Sequence, residues 1–284
     1  LHFTSFITPY FFSGKSVLTI NDLAFLKFPS IIEKKKLYYY RLFLNNAVRK
    51  ANFIIAISES TKRDILHYFN FPENRIEVIY DGISEEFKPA RIEEIQNVLK
   101  KYNISKRYIL FVGTLEPRKN IINLIKAFKL IKEDDVQLLI CGKKGWLYDD
   151  IYDEVRKSFS GNEVVINNFV SNEDLVKIYS GAELFILPSL YEGFGLPVLE
   201  AMACGTPVIT SGISSLPEVA GDAALFVDPL NPEDIACKIS TLLNNDKLKL
   251  DLKEKGFKQV KKFSWDKCAR ETLKVYNRIL EKNF

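Results

Sequence analysis

The chain has 284 residues, of which 47% are hydrophobic and 27% charged, with a formal net charge of +4. That length and balance suit one large globular domain or two ordinary ones, and no apolar run approaches the roughly 18 residues that a membrane-spanning helix needs. Two histidines (His2, His67) and four scattered cysteines (Cys141, Cys204, Cys237, Cys268) argue against a histidine-based zinc hydrolase, a Ser-His-Asp site, a zinc knuckle or a disulfide framework, and they predict reduced thiols in a cytoplasmic protein.

The chain opens on Leu1-His2-Phe3-Thr4, an apolar strand-like run with no turn or cap before it. An element that starts this abruptly predicts upstream sequence, and no basic segment followed by an apolar run marks a secretory signal. Short apolar runs rich in β-branched and aromatic residues then recur at 17–20, 53–57, 76–80, 108–112, 136–141, 164–166, 184–187, 207–210 and 224–227. Their near-continuous hydrophobicity is that of parallel strands buried on both faces. Between them, 121–132, 172–179, 197–203 and 232–244 have helical spacing, with Asn172 to Asp174 and Asn231-Pro232 as candidate caps or first-turn residues. Strand–helix alternation of this kind predicts doubly wound α/β architecture.

A change of domain is expected within 81–106, where the Asp81-Gly82 turn signal and Pro89 precede a charged helical stretch. The division read from this is 1–90, 91–264, and a terminal amphipathic helix over 265–284 with apolar positions Ala269, Leu273, Tyr276 and Leu280. Residues 1–90 hold 12 Lys and Arg against 9 Asp and Glu, an excess too small and local for a nucleic-acid footprint. Much of it lies in 31–50, where Lys34-Lys35-Lys36 and Arg41 mingle with Leu37, Tyr38, Tyr39, Tyr40, Leu42 and Phe43. A basic aromatic helix can rest on an anionic membrane, and it can equally be an amphipathic helix with a solvated basic face.

The chemistry concentrates in three loops. Glu192-Gly193-Phe194-Gly195-Leu196-Pro197-Val198-Leu199-Glu200 follows a buried strand and opens a helix, with Pro197 near its first position. Glycines there let backbone approach a ligand, and the helix N-terminus suits a phosphate. Glu200, one turn in, could accept from both hydroxyls of a ribose diol, while Glu192 stays in the loop. A tight turn and a helix cap would account for G-x-G alone; two flanking carboxylates favour a site. Val198 stands where a dinucleotide fingerprint would have its third glycine. The second loop, Gly113-Thr114-Leu115-Glu116-Pro117-Arg118-Lys119-Asn120, puts Arg118 and Lys119 at a strand's C-terminal end, where α/β sheets bind ligands. The third, Cys141-Gly142-Lys143-Lys144-Gly145, ends the next strand at the same edge. An Arg-Lys pair alone is an ordinary solvated helix start, but three such loops on one edge describe a ligand crevice.

These segments, with Ala201-Met202-Ala203-Cys204-Gly205-Thr206-Pro207-Val208-Ile209, Leu216-Pro217-Glu218-Val219 and Ala223-Ala224-Leu225-Phe226-Val227-Asp228-Pro229, closely resemble the family 4 retaining glycosyltransferases of the GT-B fold. The resemblance covers essentially the whole chain. It implies two Rossmann-like doubly wound domains facing a cleft, the N-terminal one incomplete here because the opening half of the acceptor-side domain has no counterpart before Leu1. It further implies that Arg118 and Lys119 bind the donor diphosphate, with Gly113, Thr114, Gly142 and Lys143 around it. The backbone of Gly193, Phe194, Gly195 and Leu196 would hold phosphate and sugar, Glu200 the ribose, Glu192 the sugar hydroxyls near the anomeric centre, and Val170 the nucleobase. Val17-Leu18-Thr19-Ile20-Asn21-Asp22-Leu23 matches a strand whose relatives often read T-x-H-D. Asn21 stands for the histidine that contacts the donor sugar, and it can hydrogen-bond a hydroxyl but not take up a proton.

The implied reaction moves a hexose from GDP-mannose or a UDP- or ADP-sugar to a glycan or lipid-linked acceptor, as in cell-surface polysaccharide assembly. No cofactor or metal is expected: no Asp-x-Asp motif is present, and cationic groups and amides can stabilise the departing diphosphate. The rivals are a nucleotide-sugar phosphorylase or epimerase on the same fold, and a non-catalytic donor-binding module of a larger assembly.

Overall fold

A computed structural model describes residues 1–6, 8–9, 11–29 and 34–281. Residues 31–33 of the basic aromatic segment and the end of the terminal helix from 282 on lie outside the described residues. The chain divides into two compact units, one formed by Leu1–Gly82, Glu192–Phe194 and Phe263–Phe284, the other by Ile83–Tyr191 and Gly195–Lys262.

The first unit begins with β1 (His2–Phe3), β2 (Val17–Ile20), α1 (Ala24–Lys27), α2 (Lys34–Lys50), β3 (Phe53–Ala56), α3 (Glu59–Tyr68) and β4 (Ile76–Val78). The strands form a parallel sheet in the order β1-β2-β3-β4, with Val17 opposite Phe53. Strand alternation sends Leu18, Ile20, Ile54 and Ala56 to one face, where they meet Leu44 of α2 and Ile65 of α3. The opposite face presents Val17, Phe53 and Ile55. The amphipathic spacing of α3 is seeded by its cap, as Ser58 Oγ accepts from the Thr61 amide at 3.0 Å.

The second unit runs α4 (Ile92–Lys101), β5 (Arg107–Val112), α5 (Ile121–Lys129), β6 (Val136–Cys141), α6 (Asp149–Ser158), β7 (Val164–Asn167), α7 (Asn172–Ser180), β8 (Leu184–Leu187), α8 (Leu196–Ala203), β9 (Val208–Ser211), α9 (Leu216–Ala220), β10 (Ala224–Val227), α10 (Pro232–Leu243) and α11 (Asp246–Val260). Its six strands are all parallel, in the order β10-β9-β8-β5-β6-β7. β6, β8 and β9 are buried at every position, as the apolar runs predict. Leu138, Leu139 and Ile140 have 0% exposure; such a side chain contributes about 1.5–3 kcal/mol on burial. The strand order reverses between β5 and β8, and in an open α/β sheet that switch point is where a crevice forms beyond the carboxyl ends.

The chain then returns to the first unit through Phe263 and α12 (Trp265–Glu281), whose Val275 and Ile279 pack on Val17, Phe53, Ile55 and Ile79. Gly82 lies so close beneath this return that a Cβ would stand 2.1 Å from the Trp265 nitrogen. The terminal helix corrects the expected stripe: Leu273 and Leu280 are 56% and 72% exposed, because the packed face runs through Cys268, Val275, Tyr276 and Ile279. One smaller correction concerns an end. α5 stops at Lys129, where Leu130 and Ile131 bond back three residues instead of four. α7 is capped by Ser171, whose Oγ accepts from the Asp174 amide, so Asn172 is a first-turn residue. Among the described residues no helix is long and apolar enough to cross a membrane.

Candidate donor site at the switch point of the second unit

The loops after β5 and β8, the two strands flanking the switch point, are bonded to each other. The Leu190 amide donates to the Arg118 carbonyl at 2.9 Å. Asn120 Nδ2 donates to the carbonyls of Pro188 at 3.0 Å and Pro229 at 2.6 Å. Asn120 adopts a left-handed φ of 60°, which asparagine tolerates better than most residues. The predicted pair Arg118-Lys119 therefore sits beside the start of the Gly-rich turn. Lys119 is only 8% exposed. Arg118 is held by Glu116 Oε1, which accepts from its Nε at 3.0 Å and its Nη2 at 2.6 Å, and its Nη1 donates to the Tyr191 carbonyl at 2.7 Å. The other oxygen of Glu116 accepts from Trp146 Nε1 at 3.1 Å.

The loops after β5 and β6 are joined as an extension of the sheet. Gly113 donates to Cys141, Leu115 to Lys143, and Gly145 back to Leu115. Gly142 passes so near that a Cβ would lie 1.8 Å from the Gly113 carbonyl oxygen. Val112, Gly113, Thr114, Cys141, Gly142 and Lys143 form one wall of a cavity of about 210 Å³, and Asn168, Phe169, Val170 and Leu175 complete it. Five predicted donor residues, Gly113, Thr114, Gly142, Lys143 and Val170, thus line one cavity. Phe169 is 71% exposed at its rim, and Asn168 Oδ1 accepts from Tyr152 at 2.8 Å.

At the head of α8, Gly195 has φ +117°, and a Cβ there would stand 2.9 Å from Leu216. Pro197 removes one donor from the first turn and Val198 bonds back to Gly195, leaving the amides of Gly195 and Leu196 at the helix head. Glu200 is half-buried one turn on, and Tyr179 Oη donates to its Oε2 at 2.8 Å. Burial raises the Glu200 pKa, the tyrosine hydrogen bond opposes the rise, and Glu86 adds to it. Tyr179 is fully buried, its own pKa is pushed well up by the same burial, and its carbonyl accepts from Thr206 Oγ1.

The remaining predicted residues belong to the first unit. Gly193 is packed so that a Cβ would lie 2.2 Å from the Asn21 carbonyl oxygen. Glycine at 193 therefore answers to a close approach of backbone to backbone, and glycine at 195 to its φ; neither needs a ligand to explain it. Thr61 Oγ1 lies 3.4 Å from the carbonyls of both Asn21 and Gly193. The Phe194 side chain is buried against Tyr80 and Phe263, so only its backbone is available to a ligand. Glu192 is 6% exposed, and Asn21 is an exposed residue just after β2.

Sequence reasoning missed Tyr179, Glu116 and Trp146. Glu116 stood inside a quoted motif, but which partner it takes depends on Trp146, 30 residues on. Tyr179 reads as an ordinary apolar position of α7, and only the packing of α7 beside α8 brings it to Glu200.

Known proteins bear on this arrangement. The family model described as Glycosyl transferases group 1 matches residues 92–259, and Glycosyltransferase Family 4 matches residues 3–87. The chain is 34% identical over 266 residues to an O-antigen chain mannosyltransferase B of Escherichia coli, covering 92% of this chain and 70% of that one. It is 31% identical over 239 residues to a serotype-specific mannosyltransferase of the same species, covering 82% of this chain and 29% of that one. Among solved structures, a sucrose-phosphate synthase of Thermosynechococcus elongatus superposes with a TM-score of 0.80 at 24% identity, over 95% of this chain and 69% of that one. The Anabaena protein HepE, in complex with UDP and glucose, superposes with a TM-score of 0.81 at 17% identity, over 93% of this chain and 71% of that one. These structures share the fold, with two Rossmann-like parallel sheets, and the sequence matches go further: the chain belongs to the glycosyl transferases group 1 family of GT-B glycosyltransferases.

Proposed function

We propose that the chain transfers a hexose, mannose first among the candidates, from a nucleoside diphosphate sugar to a glycan or lipid-linked acceptor with retention at the anomeric carbon. The observation that carries this is the edge of the second unit's sheet. Lys119, the Gly195–Leu196 helix head, Glu200 and the cavity lined by Gly113, Gly142 and Val170 all lie at the carboxyl ends of its strands, around the switch point. The names of the relatives support mannose, and GDP-mannose is the donor to try first.

In this reading the nucleobase enters the cavity beside Val170, the ribose hydroxyls donate to Glu200, and the diphosphate lies between Lys119 and the amides of Gly195 and Leu196. The bond from the anomeric carbon to the phosphate oxygen breaks while the acceptor oxygen bonds on the same face. The departing phosphate oxygen takes the acceptor's proton, so no protein nucleophile or general acid is used. A lysine cation and N–H dipoles supply the charge stabilisation that other transferases take from a metal, and no cofactor enters. Glu192 and Asn21 are assigned to the sugar hydroxyls.

The protein is placed in the cytoplasm with α2 against the membrane face. Six of the 17 residues of α2 are Lys or Arg and none is acidic. Tyr38, Tyr39 and Leu42 are 72%, 47% and 44% exposed beside Lys35 and Arg41. Co-sedimentation with phosphatidylglycerol vesicles but not phosphatidylcholine vesicles, lost at high salt, is expected; equal behaviour on both sinks this assignment.

Calorimetry with GDP-mannose, UDP-glucose and ADP-glucose, with Glu200→Gln and Lys119→Ala as controls, tests the donor site. Saturable binding of one nucleotide class, weakened by both substitutions, supports it. A folded protein that binds none of the three refutes it. NMR of the transferred sugar then reads retention, and binding without transfer to any acceptor would make the chain a donor-binding module.

A further inference from the structure

We infer that Arg118 is a positioning residue, clamped by Glu116 so that it fixes the Tyr191–Glu192 peptide at the start of the Gly-rich turn, and that it does not carry the donor's diphosphate. This rests on the donor reading above and divides the labour between two adjacent cations.

The Arg118 and Glu116 side chains are 15% and 14% exposed and form a close ion pair. Two of the guanidinium nitrogens are spent on Glu116 Oε1, and the third donates to a main-chain carbonyl, that of Tyr191. Trp146 Nε1 holds the other carboxylate oxygen, so Glu116 is fixed from both sides. The pair has no net charge. A diphosphate that took the guanidinium would have to displace a sheltered carboxylate and leave it facing the phosphates, which is unfavourable twice over. The main chain runs the same way: the Arg118 carbonyl accepts from Leu190, and Asn120 holds Pro188. Residues 118–120 thus grip 188–191 through side chains and backbone together.

The Tyr191 carbonyl is the useful handle. The peptide bond is planar and trans, so fixing the direction of that C=O also fixes the N–H of residue 192 in the opposite direction. Arg118 therefore sets the peptide plane from which the turn departs, using the planar fork that a lysine lacks.

The two roles predict opposite signs for one substitution. If Arg118 bound phosphate, Glu116→Gln would remove its competitor and tighten GDP or UDP binding. If Arg118 is a brace, Glu116→Gln loosens the turn and weakens binding. Calorimetry of Glu116→Gln, Arg118→Lys and the double variant, against GDP and UDP, reads this directly. Hydrogen exchange across 188–195 is followed in the same proteins without nucleotide. We expect each single variant to exchange faster over 188–195 and to bind about ten-fold more weakly, a loss typical of one charged hydrogen bond. The double variant should be no weaker than Arg118→Lys. Tighter binding by Glu116→Gln, or wild-type binding and exchange in Arg118→Lys, overturns the proposal. A wild-type protein that binds neither nucleotide refutes the donor reading instead, and the exchange data still decide whether the brace exists.

Discussion

The Tyr179–Glu200 pair offers the sharpest test of the ribose site. Replacing Tyr179 with Phe removes one hydroxyl and leaves the ring in place among Phe87 and Phe185, so packing is conserved. The hydroxyl is fully buried and lies 2.8 Å from Glu200 Oε2. A hydrogen bond to a charged group is worth about 1.5–3 kcal/mol, so a loss near 2 kcal/mol is expected where the carboxylate is ionised. The pH dependence follows from the sign of the shift. Burial already raises the Glu200 pKa above 4.5, and the tyrosine is the group that holds it down. Without the hydroxyl the pKa climbs further. If Glu200 holds the ribose as proposed, the ribose hydroxyls donate to the ionised carboxylate, so donor affinity falls as pH drops through that pKa. Calorimetric titration with the donor as a function of pH should show the fall in Tyr179→Phe at a higher pH than in the wild type. If the variant loses stability but its affinity profile superimposes on the wild type, Glu200 is not the ribose carboxylate.

Three further outcomes are expected. Asp81 is buried enough to lift its pKa from 3.8 to about 6, so the folded protein favours the protonated form and loses that advantage as pH rises through 6. Asp81→Asn should therefore stabilise by about 1–2 kcal/mol at pH 8 after allowance for its partial exposure, and by little at pH 4, read as melting temperature. Gly142→Ala must push the Gly113 carbonyl away from 1.8 Å, and unfolding titrations should show a loss of roughly 2–4 kcal/mol. Lys119→Ala should weaken GDP or UDP about ten-fold while leaving the parent nucleoside nearly unchanged; an equal loss for both would place Lys119 away from the diphosphate.

Much of the fold was readable because parallel strands buried on both faces write themselves as unbroken apolar runs. β6, β8 and β10 begin and end where those runs do. The helices that escaped notice were α1, α3, α6, α9 and α11; α1 and α9 are too short to show a period, and the other three bury thin stripes. α11 buries only Leu252, Gly256 and Gln259 among 15 residues, so charge hides its period. In the site, the loops were legible from their glycines, and the reason for those glycines was not. Gly142 and Gly193 answer to main-chain atoms that are distant in sequence, and a motif does not say what lies opposite. Tyr179 and Glu116 were illegible for the same reason, since each acquires its role from a partner on another element.

The cavity beside β5 and β6 has two unlike sides. Gly113 and Gly142 present bare main chain, and at Gly142 no side chain can be admitted without parting two strands. Across from them stand the side chains of Asn168, Phe169 and Val170, on a loop exposed enough to change at small cost. A substitution that reshapes this cavity is consequently cheap at three consecutive positions, 168–170, and costly at Gly142.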